Sequence, residues 1–340
     1  MLTAPPLARY RREVDQYLRS LISAQDPPLL YRMARYHLGW EDVDGGSLEA
    51  EGKGLRPCLC LLTCEALGGA RETALPAAAA IELVHNFSLV HDDIQDRDAE
   101  RHHRPAVWSV WGDAQAINAG DALLAMAHLA LLRLADAGVA AATVVEAARV
   151  LDARTLEMVE GQTMDIEFEE RLDVTLPEYL RMIERKTGAL FDGALHLGAL
   201  VAGGEDALSR QLGASGRALG TAFQIRDDVL GIWGDASKTG KPAEDIRRRK
   251  KSLPVVYALN EAPRLARENL KATYERSDLS ESDVSAVLGV LDATGARDHC
   301  ITVAGSYKDR ALEIVDALPL AADAKRELSE TAAFLLERDF

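Results

Sequence analysis

The sequence predicts an all-α protein folded as a single domain, and three observations carry that prediction. Apolar residues recur with helical periodicity along the 340-residue chain, and no convincing run of alternating strand residues interrupts them. Hydrophobic residues make up 48% of the chain and aromatics 5%, so the core must be built from Leu, Ala, Val and Ile. Together with abundant Glu and Arg, these residues favour helix over strand. No internal repeat, low-complexity segment or interdomain linker stands out. The length is large for one domain, but helical single domains of this size are known.

Element boundaries follow the Pro and Gly positions in order. Breaks are expected at "QDPP" (25–28), "DVDGGS" (42–47), "LGGARE" (67–72) and "AGGED" (202–206). The longest non-periodic stretch is "GDASKTGKPAEDIRRRKKSLP" (234–254), and long loops of this kind often act as lids. Within it, Arg247 to Arg249 read as a solvated basic patch. From about residue 283 onward the chain reads as amphipathic helices without an assignable motif.

The formal charge of −15 argues against nucleic acid as a partner. A polyanionic substrate would need a metal or locally focused cations. Cys58, Cys60 and Cys64 lie in the apolar "RPCLCLLTCEALG", with Cys300 far away, and read as buried free thiols suited to a reducing cytoplasm. "MLTAPPLARYRREVD" shows no secretory h-region, and the apolar stretch 121–151 is too interrupted by Arg133, Asp136 and Glu146 for a bilayer span. The expectation is a cytoplasmic protein with no transmembrane segment.

Chemistry enters with two acidic runs. In "LVHDDIQD", Asp92 and Asp96 are four apart and share a helix face, about 6 Å along the axis, with Asp93 beside them. Like charges so spaced need a cation or water, and hard carboxylates without Cys or paired His suit Mg²⁺. The second run, "FQIRDDVLGIWGD", carries Asp227, Asp228 and Asp235. Magnesium is held by one or two carboxylates plus substrate phosphates, so two such runs facing one cavity would clamp a diphosphate. Cationic side chains must neutralise the remaining oxygens. The sequence offers Lys53 and Arg56 in "EGKGLRP", Arg101 in "AERHHRP", Lys186 in "RKTGALF", and Lys241 and Lys250 in the long loop.

Seven motifs occur in the order seen in trans-isoprenyl diphosphate synthases: "EGKGLRP", "ELVHNFSLVHDDIQD", "NAGDALL", "GQTMDIEF", "RKTGALF", "FQIRDDVLGIWGD" and "TGKPAEDIRRRKKSLP". The chain resembles the geranylgeranyl and farnesyl diphosphate synthases over roughly residues 45–260. The resemblance implies a helical bundle of the isoprenoid synthase type with a central active-site cavity. It also implies condensation of isopentenyl diphosphate with dimethylallyl, geranyl or farnesyl diphosphate.

By position, Lys53, Arg56, His85 and His102 resemble the isopentenyl diphosphate site. Arg101, Lys186, Thr187, Gln224, Lys241 and Lys250 resemble the allylic diphosphate contacts. Asp92, Asp93, Asp96, Asp227 and Asp228 resemble the metal ligands, with about three Mg²⁺ ions in each loaded site. Catalysis is expected to rest on Asp92, Asp96, Arg101, Lys186, Asp227 and Lys241. His85 precedes Asp92 by two turns, so both can point into one cleft. Gly54 and His102 stand where the family often has Arg, and Gly231 replaces the last Asp of the second run.

Product length should follow from residues one to two turns before Asp92, where Phe87 is bulky and Ser88 small, without an insertion in "DDIQD". In the family this pattern resembles the type forming the twenty-carbon product. Farnesyl diphosphate synthase is the alternative. A class I terpene cyclase or a non-catalytic subunit of a heteromeric synthase are more distant ones. Family members are usually homodimers, and the weakly charged 114–135 segment suits an interface or a core helix.

Overall fold

The structure is a computed structural model, and it describes residues 5–23, 27–48, 54–234, 243–276 and 278–337. Its elements are helical in the expected way: α1 (Pro5–Leu21), α2 (Pro28–His37), α3 (Leu55–Ala66), α4 (Arg71–Gln95), α5 (Val107–Trp111), α6 (Asp113–Leu132), α7 (Ala141–Glu169) and α8 (Leu176–Ile183). After a π-helical turn (Glu184–Gly188) come α9 (Ala189–Val201), α10 (Asp206–Trp233), α11 (Glu244–Arg247), α12 (Leu253–Glu261), α13 (Arg264–Tyr274), α14 (Glu281–Ala293), α15 (Ala296–Ala317) and α16 (Ala322–Glu337). The residues group into two compact units: Met1–Ala153 with Gly193–Gly213 and Leu320–Leu328, and Arg154–Asp192 with Ala214–Pro319 and Ser329–Phe340.

In the first unit, α4 is the central element. Ala74 and Ala77 through Ala80 are fully buried beside Ile81, Leu83 and Val84. Such small residues let α3 and α6 pack closely against it, and α3 is itself buried from Leu55 to Cys64, Arg56 apart. Gly198 extends the logic, since a Cβ there would lie 2.2 Å from the Cys60 carbonyl oxygen. Each fully buried Leu or Ile contributes about 1.5–3 kcal/mol by leaving water. By length and apolarity α4 and α6 could each cross a membrane, but α4 is a core helix, with 67% of its most apolar window buried.

A two-residue hairpin, which periodicity does not reveal, pairs Glu100 with Pro105 and Arg101 with Arg104. Its turn puts His102 and His103 at φ of 51° and 60°, a left-handed conformation that non-glycine residues adopt at a cost. The Tyr36 hydroxyl donates to the Pro105 carbonyl at 2.8 Å, and Trp111 meets the Tyr36 ring edge-on at 5.0 Å.

In the second unit, α8 starts with a capping box between Thr175 and Glu178, and α14 with another between Ser280 and Asp283. One core patch joins Tyr179, Ile183, Ile225, Val229, Leu253 and Cys300. A second gathers Ile246, Val255, Leu259, Leu270 and Leu291. All four cysteines are free and buried, as the composition predicts, and burial pushes the Cys58 thiol up to about 12 and Cys64 to about 11.

Candidate active site

In the first unit the acidic run falls at the C-terminal end of α4. Asp96 caps the helix, and its N–H reaches the Asp92 carbonyl at 2.8 Å, so the two carboxylates stay one turn apart as expected. Asp92 is half-buried and Asp96 exposed. Asp93 differs. It is 1% exposed, and its Oδ1 accepts from Arg101 Nε at 2.7 Å while Oδ2 is buried without a partner. Expected among the metal ligands, Asp93 instead points into protein and anchors Arg101 at the hairpin.

His85 sits two turns up α4. Burial first, then Arg56, Arg101, His37 and His102, holds its imidazole well below the ordinary value, so it is neutral near pH 7. Arg101 and His102 also neighbour His37, which sequence reasoning missed. Burial, then Arg101, His102 and Arg104, lowers its pKa to about 3, against the opposing effect of a side-chain hydrogen bond with Asn86. Arg56, His85, His102 and Arg101 are thus gathered into one electropositive neighbourhood. Lys53, Lys241 and Asp235 lie outside the described residues.

Below this neighbourhood, Phe87 is 8% exposed and meets His91 edge-on at 4.9 Å. His91 fills the space left by Gly120, where a Cβ would lie 2.3 Å from its Nε2. Ser88 turns its hydroxyl back to the His85 carbonyl at 2.8 Å.

In the second unit the expected residues form a linked set. Thr187 donates to the Gln224 side-chain oxygen at 2.8 Å, and Gln224 Nε2 donates to Asp228 Oδ1 at 3.0 Å. Asp228 Oδ2 accepts from the Tyr179 hydroxyl at 2.6 Å and from the Leu253 amide at 3.1 Å. Asp228 is therefore fully buried, with both oxygens engaged, and it too differs from the expected ligand role. Asp227, its neighbour, is exposed. Burial, then the Asp228 charge, pushes the Tyr179 phenol well above its ordinary value, which keeps it a neutral donor.

Lys186 and Thr187 stand in the π turn, where one extra residue re-aims both. The close approach depends on Gly161 of "GQTMDIEF", since a Cβ there would lie 2.2 Å from the Lys186 amide nitrogen. Lys186 Nζ pairs with Asp165 at 2.5 Å. Lys250 lies among carboxylates. Desolvation works against its charge, but Asp245 foremost, then Asp228, Asp165 and Asp227, hold its pKa above the ordinary lysine value.

Asp245 is a second residue that sequence reasoning missed. Its carboxylate lies over Gly231, the position that departs from the family pattern. Burial, ahead of the opposing pull of Lys250, raises its pKa.

The polyprenyl synthetase family profile matches residues 45–291. The chain belongs to the polyprenyl synthetases. It is 38% identical over 342 residues to the (2E,6E)-farnesyl diphosphate synthase of Mycobacterium tuberculosis, covering 99% of this chain and 93% of that one. The geranylgeranyl diphosphate synthase of the same organism is 43% identical over 292 residues, covering 85% and 82%. The crystal structure of a polyprenyl synthetase from Streptomyces coelicolor superposes with a TM-score of 0.92 at 38% identity, covering 98% of this chain and all of that one. As a polyprenyl synthetase, the chain has the helical fold and the transferase activity that its motifs imply.

Among the described residues, no three His, Cys, Asp or Glu converge into a ready-made metal cage. In the first unit, the paired carboxylates at Asp92 and Asp96 fit a hard ion that arrives with a diphosphate and keeps part of its water.

Proposed function

We propose that the chain condenses isopentenyl diphosphate with an allylic diphosphate to make a short-chain product, geranylgeranyl diphosphate foremost, with farnesyl diphosphate as the alternative. The observation that carries this reading is the Asp92–Asp96 pair, held one turn apart at the end of α4 beside the Arg101 hairpin. Asp92, Asp96 and Asp227 would hold the magnesium, with about three ions when loaded. Asp93 and Asp228 serve as anchors for Arg101 and Gln224. Bound magnesium supplies Lewis-acid stabilisation to the departing diphosphate.

The chain's own residues do the rest. Arg101, Lys186, Lys241 and Lys250 neutralise charge as the allylic C–O bond breaks. Thr187 and Gln224 offer polar contacts to the same diphosphate. Arg56, Lys53, His85 and His102 receive isopentenyl diphosphate, whose alkene attacks the allylic cation from head to tail. The proton is lost to the released diphosphate, so no side-chain base is required. The 234–254 stretch, of which residues 235–242 lie outside the described residues, is the proposed lid that would exclude water, which would quench the cation.

Phe87, propped by His91 over Gly120, forms the floor that favours a twenty-carbon product. In the first unit, Ile117, Leu129, Leu132 and Val145 are exposed large apolar residues of α6 and the start of α7, and they suit a face covered by a second copy of the chain. A cytoplasmic protein without a membrane span, acting on these two substrates rather than on nucleic acid, completes the proposal.

The test is incubation of the purified chain with isopentenyl diphosphate and dimethylallyl, geranyl or farnesyl diphosphate, with and without Mg²⁺, reading chain lengths after dephosphorylation. A Mg²⁺-dependent linear C20 alcohol supports the proposal. A cyclic hydrocarbon from one allylic substrate would point to a cyclase, and no product from the chain alone to a non-catalytic subunit.

A further inference from the structure

The second unit contains a buried charge set that the proposed chemistry has not used. Asp192 of α9 is 6% exposed, and its Oδ2 accepts from Arg154 Nη1 at 3.1 Å and from Arg217 Nε and Nη2 at 3.1 and 2.9 Å. Glu157, three residues beyond Arg154 on α7, accepts from Arg217 Nη2 at 2.6 Å and from Arg154 Nη1 at 3.2 Å. Guanidiniums from α7 and α10 thus meet carboxylates from α7 and α9, and their charges balance. Such a set contributes little net stability beside apolar residues of similar volume, because desolvating the ions offsets their attraction. What it can fix is register, since each partner must find the others.

The segment that this set brackets is the π turn. Arg217 also donates through Nη1 to the main-chain carbonyl of Glu184, the first residue of the turn, at 3.4 Å. The same guanidinium holds Asp192, four residues beyond Gly188, where the turn ends. One planar fork therefore spans the chain from two residues before Lys186 to one helical turn after Gly188. Gly188 brings the turn close to α10: a Cβ there would lie 3.1 Å from the Arg217 carbonyl oxygen and 3.2 Å from its Cγ. Tyr307 of α15 adds a further tie, donating to the Glu184 carboxylate at 2.8 Å.

A π turn interrupts the regular α-helical ladder, so its geometry has to be held by what surrounds it. Asp165 and Gln224 hold the side chains of Lys186 and Thr187. Arg217 instead holds the main chain on which both are mounted.

We propose that Arg217 is a positioning residue for the allylic diphosphate site. It does not touch substrate. Through the Glu184 carbonyl and the Asp192 carboxylate it fixes the main chain of the π turn, and so aims Lys186 and Thr187 at the leaving diphosphate. The proposal rests on the prenyltransferase reading above.

Arg217→Lys keeps the charge but loses the fork, so a lysine paired with Asp192 gives up the Glu184 carbonyl. Calorimetry should show geranyl diphosphate with Mg²⁺ binding about tenfold more weakly, because small displacements of binding groups are costly. In turnover, the KM for the allylic substrate should rise while the KM for isopentenyl diphosphate holds. In a Lys186→Met background the same Arg217→Lys change should cost much less affinity, because the two residues act through one contact. The charge-balanced variant Arg217→Gln/Asp192→Asn leaves Arg154 paired with Glu157. It should regain thermal stability relative to Arg217→Gln without regaining affinity for geranyl diphosphate. Unchanged geranyl diphosphate binding by Arg217→Lys would overturn the proposal, as would equal losses for both substrates or full additivity with Lys186→Met. An affinity that returns together with stability in the charge-balanced variant would reduce Arg217 to a purely structural residue and overturn it as well. A wild-type chain that forms no prenyl product would instead sink the reading on which the proposal rests.

Discussion

The carboxylate of Asp245 lies directly above Gly231: a Cβ added to that glycine would stand 2.3 Å from Asp245 Oδ2 and 2.6 Å from its Cγ. Gly231 is one helical turn beyond Asp227 on α10, so the second acidic run keeps a third carboxylate close to its helix face, delivered from α11. The notch and the side chain that fills it are complementary.

Filling the notch should therefore be costly. Gly231→Ala places a methyl inside the Asp245 carboxylate and should lower kcat by about tenfold or more, with a modest loss of thermal stability of about 1–3 kcal/mol from overpacking. Steady-state kinetics and thermal unfolding check this. A Gly231→Ala chain with wild-type turnover would show that the seat of Asp245 does not matter.

The buried Asp228 should act on stability as much as on activity. Tyr179→Phe removes the donor to Oδ2 and should destabilise the chain by about 1–3 kcal/mol, because a buried carboxylate loses a partner. Denaturant unfolding measures it. The KM for the allylic substrate should also rise, since Gln224 is held by the same carboxylate.

Replacing Phe87 by Ala should remove the floor beneath the Asp92 helix face and lengthen the product by one or more five-carbon units, each about one helical turn. Dephosphorylated products resolved by chromatography give the answer. An unchanged distribution removes Phe87 from this role.

Acid stability should report His37. Its folded pKa, near 3, is below the ordinary histidine value of 6.5, so between these limits the unfolded chain binds the extra proton. This histidine adds no pH dependence above about 6.5, and below it stability falls as pH drops toward 3. His37→Gln should flatten that slope in urea unfolding between pH 6.5 and 4. An unaltered slope would mean that the imidazole is not held neutral.

Much of this site was legible in residue order. Asp92 and Asp96 declared a shared helix face through their spacing, and Arg101, Lys186 and Lys250 stood out as cations in separate packets. The structure adds what periodicity cannot encode. Which of two adjacent aspartates faces protein depends on partners distant in sequence, Arg101 for Asp93 and Tyr179 for Asp228. Asp245 was hidden because its relation to Gly231 is a fit between two helices, and His37 because a lone histidine in an apolar helix carries no local signal. The hairpin at Arg101 is two residues a side, too short for alternation to register.

The π turn at Glu184–Gly188 sets a constraint on how this family member can change by insertion or deletion. Deleting one residue there would let the backbone relax into an ordinary α-helix with its ladder intact, so folding need not suffer. The helices on either side would keep their mutual phase, because the π turn absorbs its extra residue by underwinding, but the residues inside the turn would be re-aimed. Lys186 would swing away from Asp165, and the Thr187 hydroxyl away from Gln224, leaving a sound scaffold without its grip. The irregular turn is thus an indexing device, a single extra residue that sets the angular phase of two side chains.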